Sequence, residues 1–180
     1  MKPFKFSMLT LLFLIFIACD TDVPEVDNDP PSFSFKVTGD GFDRTFSQDD
    51  DLENLQLNLK HDARYEMLFS SADNGGVEHT TLRYDAQHIE FDNDPVFPAE
   101  PWTQAFFGLS FYVDWEGDRN NALTGNILLG SFKPNGENVS TSFTFYVRDF
   151  GGESNNSNTT TADLSIFIGD FDTEVITLPN

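Results

Sequence analysis

Asp114-Trp115-Glu116-Gly117-Asp118-Arg119-Asn120 puts oxygen-bearing side chains at alternate positions. Calcium takes about six to eight oxygen ligands, and alternate spacing lets one short segment supply several of them. Asp114, Glu116, Asp118 and Asn120 are therefore candidate calcium ligands. The match to an EF-hand loop is incomplete. Arg119 stands where the glycine belongs, and no bidentate glutamate follows at the right distance. The competing reading is an acidic hairpin connection that turns at Gly117 and keeps its carboxylates in water. Asp49-Asp50-Asp51 reads as a solvated turn, with Asp51 capping a short helical segment.

Other constellations are thinner. His79 and His88 flank a strand pair, and two histidines with a nearby acid can hold a transition metal. Neither they nor His61 sit in a His-Glu-x-x-His arrangement, so sheet-surface histidines are the simpler expectation. No Gly-x-Ser-x-Gly elbow is present. With 30 acidic residues, two carboxylates at glycosidase spacing can arise by chance, so a carboxylate-based hydrolase stands as an alternative. Trp102 and Trp115 lie among polar and turn-forming residues. An indole at a loop tip can stack on a sugar ring or a partner surface. The alternative is that each folds back to plug the edge of the fold.

Cys19 is the only cysteine, so the chain cannot form an internal disulfide. Lys2 and Lys5 precede an apolar run, Met8–Ala18, interrupted only by Thr10. A basic start, a short apolar stretch and a small residue before the cut are the parts of a secretory signal. The run is too short for a membrane helix, which needs about 20 residues. Ile17-Ala18-Cys19 resembles the lipobox of bacterial lipoproteins, with Phe16 in place of the usual leucine. The resemblance implies cleavage before Cys19 and acylation of its thiol and new amino group. Several acyl chains, each contributing about 0.8 kcal/mol per buried CH₂, make a stable anchor.

Asp20, Asp22, Glu25, Asp27 and Asp29 follow, with Pro24, Pro30 and Pro31 and no basic residue before Lys36. That composition predicts a disordered tether. Acids just behind an acylated cysteine also resemble the surface-export tag of lipoproteins in one Gram-negative group. The implied address is the outer membrane, lipid-anchored, at the cell surface. Loss of Lys2 and Lys5 leaves 8 basic against 30 acidic residues, a formal charge of −22. Such a field opposes nucleic-acid binding and favours neutral or cationic partners.

These residues need elements to position them, and period-two alternation is the main signal. It marks Phe33/Phe35/Val37, Tyr65/Met67/Phe69, Phe107/Leu109/Phe111/Val113, Phe143/Phe145/Val147 and Leu164/Ile166/Ile168. Weaker strands are expected at Val77–Tyr84, His88–Phe91, Asn126–Phe132 and Thr173–Leu178. Leu55/Leu57/Leu59 reads as a strand after a short helical turn. Gly39-Asp40-Gly41, Asp73-Asn74-Gly75-Gly76, Pro134-Asn135-Gly136 and Gly151-Gly152 punctuate them.

Asp29-Pro30-Pro31 before the first strand, Tyr65-x-Met67-x-Phe69 leading to Asp73-Asn74-Gly75-Gly76, and Phe143-x-Phe145-x-Val147-x-Asp149-x-Gly151-Gly152 form a series. It is similar to the immunoglobulin-like modules of bacterial surface proteins. The chain is longer than the roughly 100 residues of a minimal module. The excess is expected in residues 93–104 and 114–125.

The expected fold is all-β: an antiparallel immunoglobulin-like β-sandwich of about 8–9 strands. Its expected divisions are 1–18 signal peptide, 19–31 lipidated acidic tether and 32–180 sandwich. The expected function is a non-enzymatic surface lipoprotein, a binding or structural module with no required cofactor. Its partners would be the membrane, through the lipid on Cys19, and a glycan or an outer-membrane protein. A calcium-stabilised adhesion module is a further alternative.

Overall fold

The computed structural model describes residues 28–93, 96–151 and 156–179. The lipobox and residues 19–27 of the tether lie outside them. Within them the chain is an all-β sandwich of two sheets, the class expected.

Twelve strands are present among the described residues: β1 Ser32–Gly39, β2 Phe42–Ser47, β3 Leu55–Lys60, β4 Tyr65–Ala72, β5 Val77–Asp85, β6 Ile89–Phe91, β7 Thr103–Phe107, β8 Ser110–Glu116, β9 Gly125–Pro134, β10 Val139–Asp149, β11 Thr159–Gly169 and β12 Glu174–Thr177. One sheet has the order β2-β1-β4-β9-β6, and the other β12-β3-β11-β10-β5-β8-β7.

Two expectations are corrected. The strands outnumber the 8–9 expected, and the sheets are not purely antiparallel, because β3 pairs parallel to β11. The surplus lies at the edges. The less exposed face of β2 runs Phe42, Arg44 and Phe46, so Arg44 breaks the apolar alternation. β7 is exposed along its whole length and offers no apolar period at all. The alternation from Phe107 to Val113 is a hairpin, not one strand. Phe107 pairs with Ser110 across Gly108-Leu109, and Gly108 has φ +66°, as a two-residue hairpin turn requires at its first position. The expected helical turn is a 3₁₀ turn, Leu52–Asn54, ahead of β3.

Alternation puts one face of each long strand between the sheets. Phe33, Phe35 and Phe69 from one sheet meet Phe143 and Phe145 from the other. Ring centroids lie 4.9 Å apart for Phe35–Phe145, 5.0 Å for Phe33–Phe145 and 5.3 Å for Phe69–Phe145. Each such pair adds about 0.5–1.5 kcal/mol beyond simple burial. One polar cluster interrupts this core. Ser71, Thr80 and Asn126 close a triangle of hydrogen bonds of 2.8–2.9 Å and so satisfy one another.

The registers fix the two poles of the sandwich. Ser32, Ala72, Val77, Glu116, Gly125, Asp149 and Thr159 lie at one end of their strands' pairings. The chain enters at this pole. Pro31 is buried, and its carbonyl accepts from Thr160 Oγ1 at 2.5 Å. Buried Asp149 organises the connection here, with Oδ1 accepting from Gly151 N at 2.8 Å and Asn158 N at 2.7 Å. β12 also runs back toward this pole. The opposite pole carries the β1–β2, β3–β4, β5–β6, β7–β8, β9–β10 and β11–β12 turns. An eleven-residue strand such as β10 spans about 35 Å between them.

Candidate functional site

The proposed acidic loop is partly strand. β8 carries Asp114 and Glu116 on the outer face of the seven-stranded sheet, where Thr81 and His79 of β5 lie opposite them. Glu116 Oε1 is 2.6 Å from His79 Nδ1. His79 Nε2 is 2.7 Å from Thr81 Oγ1, which donates to Asp114 Oδ1 at 2.6 Å. Carboxylates only accept, so the Thr81 hydroxyl is the donor toward Asp114. The two acids are thus consumed in knitting β5 to β8.

Asp118 and Asn120 do not join them. Asp118 caps the 3₁₀ turn Arg119–Asn121, and its Oδ1 accepts from Asn120 N at 2.9 Å. The four candidate calcium ligands therefore fall into two pairs with separate partners. Among the described residues no group of three or more His, Cys, Asp or Glu side chains is disposed to hold a metal ion.

His79 and His88 are not brought together. His79 is near the entry-pole end of β5, and His88 lies in the turn beyond its other end, where Nδ1 is 3.1 Å from the Asn135 carbonyl. His61 is also in a far-pole turn and accepts from Gly136 N at 3.2 Å.

Both tryptophans are core plugs, which corrects the expectation of ligand stacking. Trp102 and Trp115 are each 5% exposed. Trp115 faces inward from β8, because β8 extends through it. Trp102 lies against Phe69, and its indole N–H donates to the Ile127 carbonyl at 2.9 Å. It ends the crossover from β6 to β7, which Phe97 pins by stacking on Phe91 at 3.9 Å. Neither indole has a free face for a sugar ring.

The exposed apolar side chains lie elsewhere. Phe107 is 77% exposed, Phe106 61% and Leu109 59%. They cluster at the β7–β8 hairpin tip, at the pole opposite the chain entry. The hairpin is firmly held. Phe106 packs on Phe111 at 5.0 Å, Gln104 Nε2 donates to Tyr84 Oη at 2.6 Å, and Ala86 N donates to the Leu109 carbonyl at 3.0 Å. Sequence reasoning missed this feature. The available signal was Thr103–Leu109 itself, a run with no charge and no proline in a strongly acidic chain.

Beside the hairpin, Tyr112, Tyr146 and Arg83 also face outward from the seven-stranded sheet. Arg83 Nη2 donates to Thr144 Oγ1 at 2.8 Å, and Thr144 Oγ1 donates in turn to Asp163 Oδ1. No helix among the described residues is long and apolar enough to cross a membrane.

No protein-family model matches the chain, and no curated protein matches it. Among solved structures, it is similar to a cohesin module from a Clostridium perfringens family 33 glycoside hydrolase. The alignment has 10% identity and TM-score 0.32, and it covers 64% of this chain and 96% of that one. A likeness this distant assigns no activity.

Proposed function

We propose that this protein is a membrane-tethered, non-enzymatic binding module. Lipid on Cys19 anchors it to the outer membrane at the cell surface, and the sandwich offers its far pole to a protein partner. The observation that carries the reading is the polarity of the fold. The chain enters at one pole, beside Pro31 and Thr160, and the exposed Phe106, Phe107 and Leu109 sit at the other. An anchor at the first pole would carry the apolar tip roughly 25 Å, about the length of β5, from the sandwich's membrane-proximal end.

A protein partner is favoured over a glycan, because the two indoles available for sugar stacking are buried. The acidic surface favours a neutral or cationic partner.

Cell fractionation of wild type and Cys19→Ala tests the anchor. The wild type is expected in the membrane fraction, with its mature N-terminal peptide heavier by the mass of the acyl groups. The variant is expected to leave that fraction. An unmodified Cys19 peptide, or a variant that stays with the membrane, would refute the anchor.

A further inference from the structure

We infer that β7 is a docking edge, on which an extended apolar segment of a partner protein, bearing lysine or arginine and no acids, pairs as an eighth strand of the seven-stranded sheet. β7 ends the strand order of its sheet, and among the described residues it has a neighbour, β8, on one side only. A free strand edge presents unpaired N–H and C=O groups that another chain can complete.

Other terminal strands carry the usual protections. β2 bears Asp43 and Arg44, with Lys36 Nζ 3.0 Å from Asp43. β12 has four residues and includes Glu174, and β6 has only three and includes Glu90. Thr103-Gln104-Ala105-Phe106-Phe107 has neither charge nor proline, and all five residues are exposed. Charge and proline are the common means of blunting an edge, and β7 has neither.

The edge is also preorganised. Gln104 is tied to Tyr84, Phe106 rests on Phe111, and Trp102 fixes the approach to the strand through the Ile127 carbonyl. A partner strand would pay little to order its template. Its side chains would alternate beside Phe107 on the outer face and Phe106 on the other.

Geometry and charge select the occupant. Two copies pairing β7 edges antiparallel would be inverted relative to each other, with their entry poles at opposite ends. Two tethers could not then serve one membrane, and two chains of formal charge −22 repel. A different chain escapes both constraints. Exposed Glu100 precedes β7. Lysine or arginine on the added strand is favoured by Glu100 and by the strongly acidic surface of the chain. Exclusion of a second copy rests on the tethered reading; the docking edge itself does not.

The test pans random nonapeptides, displayed on phage, against the full mature chain. Enriched peptides are expected to alternate β-branched or aromatic residues with lysine or arginine and to lack acids. Hydrogen exchange should slow in residues 103–107. Phe106→Pro, which removes an N–H that faces the open edge, and separately the solvent-facing Phe107→Lys, should each weaken binding at least tenfold. No enrichment over the Phe107→Lys variant would overturn the inference, as would acidic consensus peptides, protection elsewhere, or sedimentation as a β7-dependent dimer. These measurements use no membrane, so failure here is distinct from failure of the Cys19 anchor.

Discussion

Tyr65 and Tyr84 show how single side chains set the conditions under which this sandwich survives. Burial pushes both phenols above their ordinary pKa of 10.0, and the hydrogen bonds from Lys60 N to Tyr65 and from Gln104 to Tyr84 offset only part of that. A raised phenol keeps its proton in the native state after the unfolded chain has released it. The unfolded state then binds fewer protons, and stability falls with rising pH. Below about pH 10 neither tyrosine contributes a slope; above it, through the interval up to the native pKa values, stability is lost. Urea titrations at successive pH values should show that decline, and Tyr84→Phe should shrink it. An unchanged slope in the variant would contradict the role given to burial. Trp102 belongs to the same scale. Trp102→Ala should cost about 3–5 kcal/mol of stability, as for other large core truncations. The burial of Trp102 and Trp115 was not legible in the sequence. Turn formers precede Trp102 and acids surround Trp115, yet one ends a crossover and the other faces inward from β8. Local composition cannot distinguish those places from loop tips.

At the scale of elements, legibility followed burial. β1, β4, β10 and β11 each bury one face, so hydrophobic alternation announced them. β7 buries nothing and carried no period, and in β2 Arg44 on the inward side broke the apolar one. The β7–β8 hairpin was hidden because Phe107, Leu109, Phe111 and Val113 keep a period of two straight through the turn. Gly108 was the one clue. Gly108→Val should destabilise the hairpin by about 1 kcal/mol or more, since a β-branched residue resists positive φ. Gly130 makes a different demand. A Cβ there would lie 2.7 Å from the Phe97 ring, so Gly130→Val should displace Phe97 from Phe91 and loosen residues 96–102. Faster amide exchange at Trp102 in that variant would be the sign; unchanged exchange would show that the crossover is held by other contacts.

For the whole molecule, polarity and charge matter more than any one residue. The acidic surface suggested calcium, yet Asp114 and Glu116 are engaged by the His79–Thr81 cluster, and Asp118 with Asn120 forms a cap. A ligand of the native state must raise stability. The melting temperature is therefore expected to be the same, within about a degree, in chelator and in millimolar calcium; a rise of several degrees would restore the metal reading. The first strand of the sandwich was legible in sequence, because Phe33, Phe35 and Val37 alternate clearly. Which pole the tether enters was not, since it depends on pairings between strands far apart in the chain.

Cys19 is the only cysteine in the sequence, and the tethered reading leaves it with no free thiol. Asp172→Cys adds one at an exposed turn of the far pole. Intact cells producing wild type or the variant can be treated with a membrane-impermeant maleimide. A surface-displayed lipoprotein predicts labelling of Asp172→Cys and none of the wild type. Labelling of the wild type at Cys19, or of the variant only after lysis, would contradict it.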